Sequence, residues 1–136
     1  MSAPLFAVDL AVRWSDLDAF DHVNNARFLS YVEEARLAWF DGLDAPWMDA
    51  AVAPLLASIQ MDYRRPITWP ATVRVELHAQ RIGNSSLTLG HRLVDAGDPD
   101  RLYGEGHAVM VWIDRASGRP APLPACIRAA AGTPAG

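Results

Sequence analysis

Three aspartates and a histidine fall within a few residues of one another, Asp16, Asp18, Asp21 and His22, in the stretch Ser15-Asp16-Leu17-Asp18-Ala19-Phe20-Asp21-His22-Val23-Asn24-Asn25. Asn24 and Asn25 are good helix N-caps, because a short side-chain oxygen can accept from the free N–H groups of a first helical turn. A carboxylate at the mouth of such a turn can attack a carbonyl carbon, or deprotonate a water that does. The free N–H groups meanwhile favour negative charge on the carbonyl oxygen. The pattern is therefore compatible with acyl transfer to water, with a carboxylate of this loop, Asp16, Asp18 or Asp21, as the working group. The same residues also have a plain structural use. An acidic loop can simply cap and solvate its helix, and the His22 ring can hold a turn through loop carbonyls.

The elements that must position this loop follow from hydrophobic period. Phe6, Val8, Leu10, Val12 and Trp14 alternate, which predicts a strand from Phe6 to Trp14. Phe28, Val32, Ala35 and Trp39 recur at helical spacing, with Leu29 and Phe40 widening the stripe. One long helix is expected from about Asn24 to Asp41, stopped by Gly42. Met48 to Pro54 reads as a loop or short helical turn. Strands are then expected at Ala57–Tyr63, Val73–Gln80, Leu87–Leu93 and Tyr103–Ile113, with turns at Gly83-Asn84-Ser85 and at Asp95–Asp100. The last strand is apolar on both faces and is expected to be central and covered on both sides. One helix set among hairpin-linked strands predicts an α+β fold, an antiparallel sheet packed on that helix.

The bulk properties agree with one compact domain over 1–136. The chain has 136 residues, of which 51% are hydrophobic. Its formal charge of −4 argues against a nucleic-acid partner. All its basic residues are arginine, which suits phosphate groups in a ligand. Cys126 is the only cysteine, so no intramolecular disulfide or cysteine-based zinc site is expected; it is read as buried or as part of the tail. The start lacks a signal-peptide pattern and no run is apolar enough to span a bilayer. A cytoplasmic protein with no membrane partner is expected, its tail at 129–136 frayed.

The residues Arg13 to Phe28 resemble the signature of the hot-dog-fold thioesterases of the 4-hydroxybenzoyl-CoA thioesterase family. The likeness continues through Tyr31-Val32-Glu33-Glu34-Ala35-Arg36, Tyr63-Arg64-Arg65-Pro66-Ile67 and Ile82-Gly83-Asn84-Ser85-Ser86-Leu87. It closes at Val111-Trp112-Ile113-Asp114 with Gly118-Arg119-Pro120. The resemblance implies a hot-dog fold, an antiparallel sheet wrapped around one long helix. It implies homodimers or homotetramers with active sites at subunit interfaces, and no metal or cofactor. It makes Asp18 the catalytic carboxylate and a backbone N–H around Val23 to Asn25 the oxyanion donor. The catalytic set it suggests is Asp18, His22, Asn24 and Asn25. Two positions depart from related branches: Phe20 stands where one branch has a catalytic asparagine, and Asp21 where a glycine precedes the histidine.

The implied substrate is an acyl-CoA or acyl-carrier-protein thioester. Its phosphates call for arginine or N–H donors. Arg64, Arg65, Arg81 and Arg92 are candidates, together with the turn Gly83, Asn84, Ser85 and Ser86. The alternative is a non-catalytic hot-dog module that binds acyl-CoA or an acyl-carrier protein. A hot-dog hydratase fits less well, because such enzymes carry an Asn-Pro pair where this loop has Ala19-Phe20-Asp21.

Overall fold

The computed structural model describes residues 3–132. Alternation of Phe6, Val8 and Leu10 builds strand β1, Phe6–Ala11. It ends before the expected Trp14 because Asp16 draws the chain back. The Arg13 N–H donates to Asp16 Oδ2 at 3.0 Å, and Trp14–Asp16 close a 3-10 turn.

Helix α1, Asn25–Asp41, carries Phe28, Tyr31, Val32, Ala35, Arg36, Trp39 and Phe40 on its buried face, a spacing of three and four residues that forms one stripe. Asn24 caps it by accepting from the Ala26 N–H at 2.9 Å, and Gly42 closes it with its N–H shared between the Ala38 and Trp39 carbonyls. Four more strands follow: β2 (Val52–Tyr63), β3 (Thr72–Ile82), β4 (Ser86–Asp95) and β5 (Asp98–Asp114). They join β1 in one antiparallel sheet of order β1-β3-β4-β5-β2. The sheet wraps α1, burying Val73, Val75, Leu77, Leu87, Leu89, Met110 and Trp112 against the helix stripe. This is the expected hot-dog arrangement.

Several boundaries differ from expectation for physical reasons. Met48–Pro54 is not all loop, since β2 starts at Val52 and includes Pro54. This is permitted because β2 is the sheet edge, where a residue without an N–H need not break a ladder. The turn between β4 and β5 is only Ala96-Gly97, not the whole of Asp95–Asp100. β5 lies second from the edge rather than at the centre. Its face with Ala108, Met110 and Trp112 is buried, whereas Val109, Val111 and Ile113 are only half-covered.

The tail expectation also changes. Ala125–Ala131 form a short helix, α2, anchored by fully buried Ile127 with Leu123 just before it. Ala129 to Ala131 are thus helical, and residues 133–136 lie outside the described residues. Cys126, on α2, is half-buried, its thiol donating to the Pro46 carbonyl at 3.5 Å. Among the described residues no helix is long and apolar enough to cross a membrane.

Candidate active site

The Asp18 loop is a tight turn built by its own backbone. Asp18 N–H donates to the His22 carbonyl at 2.9 Å, and Asp21 N–H to the Asp18 carbonyl at 3.1 Å. A bridge between Leu17 and Val23 clamps its base. Asp21 takes a left-handed conformation, φ 61°. Glycine enters this region freely and aspartate more readily than most residues, which accounts for an aspartate at a position the family resemblance gives to glycine.

Two carboxylates of the loop have separate settings. Asp16 is buried and accepts from the Arg13 N–H, from the Arg13 guanidinium at 3.2 Å and from the Tyr31 hydroxyl at 2.7 Å. Burial alone would push its carboxyl up; the bonds from the Arg13 N–H, the Tyr31 hydroxyl and the Arg13 side chain outweigh this and hold it below 3.8. The carbonyl of Asp16 also accepts the Asn24 N–H at 2.9 Å. Asp16 therefore ties the loop to the start of α1, as a fixed part of the scaffold. Asp18 is half-buried, and among the described residues its only contact of this kind is Oδ1 accepting from the Phe20 N–H at 2.9 Å. Its second oxygen has no protein donor among the described residues.

Asp18, His22 and Asn25 line one cleft of about 380 Å³, with Phe20, Phe28, Tyr63, Arg64 and Arg65 around them. Of the backbone donors expected to serve an oxyanion, two are committed. Val23 N–H donates to the Ile67 carbonyl at 2.8 Å, and Asn24 N–H to Asp16. Asn25, the first residue of α1, has no earlier carbonyl of its helix to donate to. Tyr63 fixes this helix start from the far side of the cleft. Its hydroxyl donates to the Asn25 carbonyl at 3.0 Å, and its ring meets Phe28 edge-on at 4.9 Å.

The expected substrate-binding residues fall into two groups. Arg64 and Arg65 line the Asp18 cleft. Arg64 is engaged with Glu105 at 3.2 Å and Asp62 at 3.5 Å, whereas Arg65 is exposed at the rim. Arg81, Gly83, Asn84, Ser85 and Ser86 lie elsewhere. Ser86 pairs with Val111, and Tyr63 with Gly104, so the β3–β4 turn and the Asp18 cleft stand at opposite ends of the sheet. The turn is braced by the Arg128 guanidinium of α2, which donates to the Gly83 carbonyl at 2.9 Å. Arg92 is half-buried on β4, near Glu76 at 3.4 Å.

Two residues of interest were missed from sequence. Tyr63 had a signal in its place at the end of a strand, directly before Arg64-Arg65-Pro66. Arg36 had one too, being a charge between Val32 and Phe40 on an otherwise apolar stripe. Among the described residues no group of three or more histidine, cysteine or acidic side chains gathers as metal ligands would.

Comparison with known proteins bears on this geometry. A family model described as the thioesterase-like superfamily matches residues 12–131. The chain is similar to the PA2801 protein of Pseudomonas aeruginosa, with 46% identity and a TM-score of 0.88, covering 93% of this chain and 98% of that one. A thioesterase of Thermus thermophilus, crystallised with coenzyme A and zinc, is 36% identical with a TM-score of 0.80, over 99% of this chain and 100% of that one. The long-chain acyl-CoA thioesterase FadM of Escherichia coli is 34% identical over 57% of this chain and 60% of its own length.

Proposed function

The chain belongs to the thioesterase-like superfamily, and from that premise we propose that it hydrolyses acyl-CoA thioesters with Asp18 as the catalytic carboxylate. The observation that carries this reading is the shared cleft. Asp18, half-buried and with one oxygen lacking a protein donor among the described residues, lines the same space as Asn25, the first residue of α1. Asp18 attacks the thioester carbonyl carbon, or takes a proton from the water that does. The oxygen of that carbonyl gathers negative charge, and the Asn25 N–H donates to it. The carbon–sulfur bond then breaks and the coenzyme A thiol leaves. On the general-base route the acid forms directly from the attacking water. On the nucleophilic route an acyl–Asp18 anhydride forms, which one water hydrolyses to the free acid and the Asp18 carboxylate. His22 lines the cleft and fits a supporting place beside Asp18, and Asn24 serves through its cap.

Arg65 at the rim suits a phosphate of the carrier, coenzyme A or an acyl-carrier protein. The turn Gly83–Ser86 and Arg81 fit the same reading only if two chains combine. β2 is an unpaired edge, and pairing it antiparallel with a second copy reverses the partner's sheet. The partner's β3–β4 turn then comes to the end where Asp18 lies. A homodimer, or a tetramer of such dimers, in the cytoplasm is part of the proposal.

The test is release of free thiol from short, long and aromatic acyl-CoAs. Asp18→Ala is expected to lose about 10²–10⁴ in rate while keeping its melting temperature. The same change at Asp16 instead leaves the Tyr31 hydroxyl and Arg13 without their partner and costs about 1–3 kcal/mol of stability. A fully active Asp18→Ala protein would sink the mechanism. Wild-type protein that retains acyl-CoA without turnover would make it a binding module.

A further inference from the structure

A second cavity, of about 260 Å³, lies between α1 and the edge strand β2. Phe40, Trp47, Leu56 and Met110 give it apolar walls, and Arg36 reaches it from the buried stripe of α1. Arg36 is 4% exposed, and its Nη1 has no hydrogen-bond partner among the described residues. Glu33, one turn earlier on the helix, is exposed at the same cavity. Arginine does not escape burial by losing its proton, so a buried guanidinium N–H needs an acceptor. Plain hydrocarbon would line the remaining walls well but would leave this donor dry.

The position of the cavity gives it a use. It flanks β2 at Pro54 and Leu56, whereas the Asp18 cleft flanks the same strand at Tyr63. In an antiparallel pair about the middle of β2, Pro54 comes beside the partner's Met61, close to the Asp18 cleft of that second chain. In such a pair the Arg36 cavity of one chain would lie beside the cleft of the other.

We propose that this cavity holds the distal part of the acyl chain, and that Arg36 selects chains bearing an acceptor oxygen, a hydroxyl or a carboxylate, over plain hydrocarbon. This rests on the thioesterase reading and on pairing through β2. Hydrogen bonds to a charged donor discriminate strongly, because the analogue lacking the oxygen leaves the donor unpaired. Glu33 at the cavity favours the neutral hydroxyl over the carboxylate.

The experiment uses thioether analogues of medium-chain acyl-CoAs of graded length, which cannot be hydrolysed, in plain, ω-hydroxy and ω-carboxy forms. Binding to the wild-type protein is measured by calorimetry, beside hydrolysis of the matching thioesters. At the best-fitting length an oxygenated analogue is expected to bind about tenfold or more tighter than the plain one, and Arg36→Met to bring the two within about twofold. Equal binding by the wild type overturns the proposal. So does a preference that survives Arg36→Met, or an Arg36→Met protein that only loses its oligomeric state. Should that variant not fold, Glu33→Gln decides: a shift of preference toward the ω-carboxy analogue supports the proposal, and no shift overturns it. Hydrolysis separates the two readings. Turnover of plain chains without preference defeats the Arg36 proposal alone. Arg36-dependent binding without any turnover defeats the thioesterase reading alone.

Discussion

At the scale of single residues, the proposed site divides labour among neighbours. Asp16 is saturated with donors and holds the loop, while Asp18, at the cleft, has one oxygen without a protein donor among the described residues. The backbone divides the same way, with Val23 and Asn24 spending their N–H groups on Ile67 and Asp16. This isolates the proposed role of Asn25 for a direct test. Asn25 is the first residue of α1, where proline fits a helix, and Asn24 already has the extended conformation, φ −56° and ψ 137°, that a residue before proline prefers. Asn25→Pro is therefore expected to keep the fold, unchanged by circular dichroism and melting, while kcat falls about 10²–10³-fold through the lost donor. The place of Asp18 in a tight loop just before α1 was legible in the sequence because the loop has a specific pattern. The choice among three adjacent N–H groups was not, because it depends on carbonyls of Ile67 and Asp16 that only the folded chain brings near.

At the scale of elements, the strands and α1 followed from period, since alternation and helical spacing are local properties. What escaped were features set by neighbours: Pro54 inside β2, the half-covered second face of β5, and the docking of α2 through Ile127. His91 shows how far such ties reach. It stands on β4 opposite Gly106 of β5, and its Nε2 donates across that residue to the Gln60 carbonyl of β2 at 2.9 Å. The side chain that Gly106 lacks would collide with Gln60, so the glycine lets three strands close up. Burial lowers the His91 imidazole from 6.5 to about 4, against the Gln60 bond and helped by nearby Arg36. The folded chain thus keeps His91 neutral where the unfolded chain would protonate it. Its share of stability is complete above pH 6.5 and is lost as the pH falls toward about 4. The expected slope is on the order of 1 kcal/mol per pH unit. Denaturant titrations across that range check it, and His91→Gln, which can still donate to Gln60, is expected to flatten the curve.

At the scale of the whole molecule, the parts suited to a thioester are split between the two ends of the sheet. A lone chain holds Asp18 and Arg65 at one end and the Gly83–Ser86 turn at the other. If the working unit is a pair joined through β2, activity and mass are linked. Serial dilution followed by sedimentation should show specific activity falling as the mass drops from two chains to one. Full activity in a species of single-chain mass would separate catalysis from assembly. Sequence could hint at this only through the family resemblance, because an edge strand is defined by the strand that is not beside it.

The contact between α2 and the β3–β4 turn turns the lone thiol into a reporter. Cys126 rides on α2, and Arg128 of the same short helix grips the Gly83 carbonyl. Cys126 is part-covered and contacts the Pro46 carbonyl, so its alkylation rate is expected to rise with local opening of that helix, with no label engineered in. A ligand that settles on the Gly83–Ser86 turn would quieten this motion. Desulfo-coenzyme A, which brings no competing thiol, is expected to slow the labelling, and an unchanged rate would remove that turn from the carrier site.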